Sequence, residues 1–315
     1  MHHTATTSNT PHTPRGRGGG AAATANLRGM ASPLAPTIPA LLLIAFSLLL
    51  TPAIAPAEDY IEQNANGSIN WTKGEIHARG IGVPPKRYLK FPARARAMAV
   101  RAAKVDALRN LLEQMQGVRV EAQTLMKDAA VESDAVHTSM QGVVHNASMV
   151  GAPHYYEDGS VEVEMAVNYR GSVAPPVAQM VSKRLEREAG ARPRPLSPPP
   201  SGDGAEQNAI TGLIIDARGL GLRPALAPKI VDTRGRVLYS ALVVDPQQGG
   251  DLAAYDRSLE HARAMPRAGA RPMVVKGVKV QDIGDVVISS DDADRLDRTP
   301  GLSRVLRQAR VVIVL

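Results

Sequence analysis

Five prolines fall between Pro193 and Pro200. No helix or strand interior tolerates that density, because each proline removes a backbone donor and fixes φ. The surrounding stretch "GARPRPLSPPPSGDGAEQ", Gly190 to Gln207, has no apolar period and is flanked by glycine. It reads as a semi-rigid linker. Folded structure must therefore lie on either side of it, roughly from Trp71 to Glu188 and from Ile210 to Leu315, each the size of a small domain. The expected architecture is α+β in two small domains. The first, over residues 58–189, is a long helix on an antiparallel sheet. The second, over 209–315, is a mixed or antiparallel sheet with short helices. Residues 190–208 form the linker that spaces them, and 1–57 form a leader.

The leader rests on "ALLLIAFSLLL", Ala40 to Leu50, an apolar run bounded by Pro39 and by Thr51-Pro52. A spanning helix needs about 20 such residues, so this run suits the core of a signal peptide better than a membrane anchor. The small residues of "AIAPA" follow it, and cleavage after Ala57 would give a mature start at Glu58. Translation from Met1 and from Met30 both fit. Export to the periplasm is the expectation.

In the first domain "GEIHARG" alternates, with Ile76 and Ala78 on one face and Glu75, His77 and Arg79 on the other, as in a half-buried strand. "RAMAVRAAKVDALRNLLEQMQGVRV", Arg96 to Val120, then carries an apolar stripe through Met98, Ala102, Val105, Leu108, Leu112 and Met115 at helical spacing. Its alanines, among them Ala99, Ala103 and Ala107, raise helix propensity and permit close approach of another element. Gly117 ends the helix and "VRV" begins a strand. "VESDAVHTSMQGVV" reads as a second helix. The segment from His145 to Tyr169 is a hairpin turning at Glu157 to Gly159, with Val161, Val163, Met165 and Val167 facing inward.

Beyond the linker, Leu213 to Ile215, "ALAPKIVD" and "RVLYSALVV" read as strands, the last two joined by a turn from Asp232 to Gly235. "LAAYDRSLEHARAM" reads as a helix, "RPMVVKGVKV" and "DVVISS" as strands, "SDDADRLDR" as a short helix with acidic residues at its N-terminus, and "ARVVIVL" as a strand docked in the sheet.

Little of this carries chemistry. With no cysteine in the chain, disulfides, thiolate metal sites and lipid attachment through cysteine are excluded. Three of the 37 basic residues, Arg15, Arg17 and Arg28, fall in the acid-free leader, so 34 face 30 acidic groups elsewhere. Those basic groups are spread along the chain and aromatics are few, which argues against nucleic acid as a partner. His77 falls on a polar strand face, where a solvent-exposed side chain is expected. Glu162 and Glu164 read as solvated charges on an outward face. Asp216, Asp232 and Asp245 sit near strand ends, where turn chemistry accounts for them. The "RGLGL" glycines lack a phosphate-loop signature, and His261 has no Ser and Asp companions in a triad pattern. No catalytic, cofactor-binding or metal-binding residues are assigned, and no cofactor is expected.

"RARAMAVRAAKVDALRNLLEQMQGVRVEAQT", with the preceding "GEIHARGIGVPP" and the later "GSVEVEMAVNY", resembles the helix-and-strand core of the LPP-twenty lipoprotein family. That group includes domains of flagellar assembly protein T and flagellar lipoprotein P. The resemblance covers roughly Trp71 to Tyr169. It implies a non-enzymatic structural or assembly protein of the cell envelope, associated with the outer membrane or the flagellar basal body, which works by self-association and contacts with protein partners. The usual members carry a lipidated cysteine. This chain has none, so the implied form is a soluble periplasmic one. A binding module for peptidoglycan or another envelope polymer is the alternative from a different class.

Overall fold

The computed structural model describes residues 59–189 and 209–315, apart from 249. The leader with its Ala40–Leu50 run, the expected cleavage point and the Pro-rich linker lie outside the described residues. The protein is α+β, with a five-stranded antiparallel sheet before the linker and a seven-stranded mixed sheet after it.

The first sheet contains β1 (Ile61–Asn64), β2 (Gly67–Asn70), β3 (Glu75–Gly82), β4 (Ser148–Tyr155) and β5 (Val161–Asn168), in the order β1-β2-β3-β5-β4. Its inner face follows from strand alternation: Ile76 and Ala78 on β3 and Val161, Val163, Met165 and Val167 on β5 are buried. Across that face lies α1 (Pro92–Gln116), with α2 (Met126–Glu132), α3 (Asp134–His145) and α4 (Ala174–Ala189) around it.

The buried stripe of α1 is not the one that apolar spacing suggested. Ala95, Ala99, Ala103, Ala107, Leu111 and Met115 are buried, whereas Val105 is 69% exposed and Ala102 faces solvent. The physical reason is on β3. A Cβ at Gly80 would lie 2.1 Å from the Ala107 nitrogen, and one at Gly82 would lie 2.0 Å from the Ala99 oxygen. The helix backbone thus rests directly on the strand, and only alanine fits between them. Helix and strand also taper together. Small residues meet at the Gly82 end, while the larger Leu111 and Met115 lie toward Ile76. Alanine buries little area, so close contact replaces bulk as the source of stability here. Polar side chains complete the seam: Asn110 Nδ2 donates to the Arg79 carbonyl at 2.7 Å, and the Ile81 N–H donates to Asp106 Oδ2 at 3.0 Å.

The second sheet contains β6 (Gly212–Asp216), β7 (Ile230–Asp232), β8 (Val237–Tyr239), β9 (Ala254–Asp256), β10 (Pro272–Gln281), β11 (Asp285–Ile288) and β12 (Val311–Val314). Their order is β8-β7-β11-β10-β6-β12-β9. β6 pairs in parallel with β10 and β12, and β12 in parallel with β9. The central strands are apolar at nearly every position because both faces are covered. Leu213, Ile215, Val311 and Ile313 point into the main core. Ile214, Val312 and Val314 point the other way, into a smaller cluster with Ala262 and Ala268. The short helices are α5 (Leu259–Ala264), α6 (Ser290–Asp297) and α7 (Leu302–Arg307).

Three local expectations need correction. Val118–Val120 forms no named strand; Arg119 makes an isolated bridge to Leu125. "LAAYDRSLEHARAM" is strand β9 followed by a short helix, because its first apolar residues pair with β12. The strand expected across "RVLYSALVV" stops at Tyr239 and continues as turns. The helices α4 and α7 were not anticipated, nor was α2, since one helix was expected over Val131–Val144 and the helix breaks at Ser133.

The two sheets share one continuous core. Trp71, in the turn between β2 and β3, meets Tyr169 at 6.2 Å and Tyr255 of β9 at 5.8 Å, both edge to face. Thr72 Oγ1 donates to the Tyr255 carbonyl at 3.0 Å, and the Leu226 and Ala227 N–H groups donate to the Arg119 and Val120 carbonyls at 3.0 and 2.7 Å.

The close seam sets an expectation for two variants in chemical denaturation. Gly80→Ala forces the helix off the sheet and costs about 3 kcal/mol of unfolding free energy. Val105→Lys, central to the stripe suggested by spacing, stays within about 0.5 kcal/mol of the parent. A reversed ranking would show that the helix packs through its larger apolar residues.

Candidate functional site

Strand alternation that turns Ile76 and Ala78 inward necessarily turns Glu75, His77 and Arg79 outward. On the neighbouring strand the same alternation exposes Glu162 and Glu164. Of these outward side chains, Glu75, His77, Arg79 and Glu164 form the floor of a groove of about 390 Å³, walled by Asp59, Gln63, Asn66, Ser68, Asn70 and Lys73.

The groove's charges are matched in pairs. His77 Nδ1 lies 2.7 Å from Glu164 Oε1, and its Nε2 lies 3.6 Å from Glu75 Oε2. His77 is therefore half-buried between two carboxylates, not the solvent-exposed side chain expected. Lys73 Nζ sits 2.6 Å from Asp59 Oδ2, which also accepts from Asn70 Nδ2 at 2.9 Å. Burial works against the ionised Asp59, but the Lys73 and Asn70 hydrogen bonds outweigh it and hold the carboxyl below its usual range. Ser68 is the cross-strand partner of His77, yet among the described residues no hydrogen bond joins its hydroxyl to the imidazole. Nor, among them, is any group of three or more His, Asp or Glu side chains arranged to hold a metal ion. What the groove offers is a set of amide, hydroxyl and paired ionic groups able to hydrogen-bond a polar ligand. Glu162 is engaged separately, accepting from the Tyr156 hydroxyl at 3.1 Å.

The acidic residues of the second sheet serve turns. Asp216 accepts from Arg218 Nε at 2.8 Å and Nη2 at 2.7 Å, which lowers its pKa. Burial disfavours the ionised Asp232, but the Arg236 and Arg234 backbone N–H groups, each at 2.9 Å, together with their guanidiniums, bring its pKa below the ordinary value. Asp245 follows the turn after β8, its N–H donating to the Arg307 carbonyl at 2.9 Å. Gly219 and Gly221 both have positive φ, at 77° and 72°, so "RGLGL" is a turn that needs its glycines. His261 Nδ1 is hydrogen-bonded to Asp256 at the start of α5, and no serine completes a triad there among the described residues.

A further charged cluster had no signature in the sequence. Asp251 is buried where the two sheets meet, paired with Arg170 of the first lobe. Beside it Arg267 Nη1 donates to the Asp251 and Ala309 carbonyls, both at 2.9 Å. Burial raises the Asp251 pKa against the pull of both arginines. Glu121, also buried, adds ion pairs to Arg184 and, at 3.6 Å, to Lys229. The residues of these pairs lie far apart in sequence, so no local pattern could reveal them.

Residues 212–315, the whole of the second sheet and its helices, match the family model described as Treponema pallidum Tp0624, second domain. No curated protein matches the chain. The match begins at the first residue of β6, so its extent coincides with the mixed sheet as a structural unit.

The buried cluster generates its own test. Asp251→Ala leaves Arg170 without its carboxylate and is expected to lower stability by about 3 kcal/mol, near the low end for a buried pair because Arg170 keeps part of its side chain in water. Denaturation followed by Trp71 emission reads this at the junction itself. An unchanged midpoint would mean that the pair is idle.

Proposed function

We propose that this chain is a non-enzymatic structural or assembly protein of the cell envelope. It is exported to the periplasm by a cleavable leader and works through protein–protein contacts, with the flagellar basal body as its site of assembly. The observation that carries this reading is the edge strand β4. Its eight residues are exposed at all but one position, Met149, Val150 and Tyr155 stand in solvent, and it bears no Lys, Arg, Asp or Glu. Charged side chains are a common way to guard a free edge against pairing. Here the strand is interrupted only by its register shift between Val150 and His154 and by Pro153, and its apolar side chains stay available to another chain. The LPP-twenty resemblance supports the same reading, since it covers the lobe that carries β4.

A second reading, a binding module for peptidoglycan or another envelope polymer, is favoured by the groove over β2 and β3, whose amide and hydroxyl groups suit a polyhydroxylated ligand.

Immunoblots of fractionated cells and purified hook–basal bodies, with antibody to the mature chain, separate the two. Co-purification with basal bodies, at a size lacking the first 57 residues and abolished by Val150→Lys, is the expected result. A processed chain that is absent from basal bodies and sediments with murein would overturn it in favour of polymer binding.

A further inference from the structure

The segment from His77 to Val105 contains no acidic residue, while basic side chains recur through it. Its middle, between β3 and α1, is a short loop stiffened by Pro84, Pro85 and Pro92, with a 3-10 turn over Lys86–Tyr88. At this loop Lys86, Arg87, Lys90, Arg94 and Arg96 are all exposed. None of the five has a carboxylate partner among the described residues, whereas Arg109, Arg170, Arg184, Arg218, Arg234 and Arg236 all do. Three of the five, the arginines, lie over aromatic rings instead. Arg87 and Arg94 stand 4.7 and 4.5 Å from the Tyr88 centroid, and Arg96 stands 5.2 Å from that of Tyr155. Like charges are thus gathered with no counter-ion.

The same loop holds apolar side chains out to water: Val83 is 67%, Leu89 58% and Phe91 62% exposed. The backbone fixes them there, with the Phe91 N–H donating to the Tyr88 carbonyl at 2.8 Å and the Phe91 carbonyl opening α1. Exposed apolar tips surrounded by cations match the layering of an anionic bilayer, in which lipid phosphates lie above acyl chains.

We infer that the loop Val83–Arg96 is a membrane-docking surface, with Leu89 and Phe91 entering the headgroup–acyl boundary of an anionic phospholipid leaflet while the surrounding Lys and Arg side chains neutralise its phosphates. Nucleic acid fits less well. It would leave Val83 and Leu89 in water, and of the loop's two rings, Tyr88 and Phe91, the first is already covered by two guanidiniums. This surface borders the β4 edge where Arg96 lies over Tyr155, but its apolar tips, Leu89 and Phe91, are not part of that edge.

Because the chain has no cysteine, a single environment-sensitive fluorophore can be placed on Phe91→Cys in the full-length protein, with Val131→Cys, at a 91% exposed site on α2, as the control. Vesicles of phosphatidylcholine with phosphatidylglycerol should brighten the label at position 91 several-fold and leave that at 131 unchanged. Vesicles of phosphatidylcholine alone should move neither. Lys86→Glu with Lys90→Glu should lower partitioning on the order of tenfold, and high salt should weaken it likewise. The label reports its own position, so attachment through another part of the chain would leave it dark. That result would overturn the inference. So would equal brightening on neutral vesicles, or brightening only with duplex DNA or unlabelled protein.

Discussion

The packing of Trp71 against Tyr169 and Tyr255 is the interaction on which the rest of the structure depends. It joins the turn between β2 and β3, the end of β5 and the edge strand β9 in one contact, with Trp71 and both tyrosines almost wholly buried. In a chain with one tryptophan, seven tyrosines and two phenylalanines, three large aromatics in one place mark where bulk is needed. Tyr255 also fixes the segment before β7: its hydroxyl donates to the Ala225 carbonyl at 2.7 Å and accepts from the Ala225 N–H at 3.0 Å. Backbone bonds from Leu226 and Ala227 to Arg119 and Val120 extend the same junction. The Arg170–Asp251 pair closes it on the polar side. Direct packing at this junction holds the two sheets together.

That junction explains both what could be read from the sequence and what could not. β3, β5 and the hairpin were legible because period-2 alternation writes burial onto neighbouring residues, as Val161, Val163, Met165 and Val167 do. β6 and β12 were legible as continuous apolar runs, since a strand covered on both faces has no alternation to show. The burial of α1 was misread because hydrophobicity ranks valine above alanine. The glycines at 80 and 82 leave room for alanine alone, and a single helix cannot reveal what its partner strand lacks. β9 was taken for helix because three residues are too few to show a period. For the candidate site, the outward face of Glu75, His77 and Arg79 was visible, but the Asp59, Lys73 and Glu164 partners that make it a groove come from separate segments.

Once the junction and the α1 seam are closed, three surfaces of the described residues stand out as open: the β4 edge, the groove over β2 and β3, and the loop before α1. Their chemistry differs. β4 offers backbone edge and apolar side chains, the groove offers hydrogen-bonding groups, and the loop offers unpaired cations around apolar tips. Ionic groups elsewhere are largely spent on structure, as Asp216, Asp232 and Glu121 show. All three surfaces lie on the first lobe, where the five-stranded sheet and α1 hold them at fixed spacing.

The central structural claim is that the two sheets act as one body through the Trp71 junction. Equilibrium unfolding followed in parallel by Trp71 emission and far-UV circular dichroism tests it most directly. The account predicts one transition, with coincident midpoints for the two signals. A circular-dichroism transition divided into two steps, with Trp71 reporting only one of them, would contradict it and make the lobes independent.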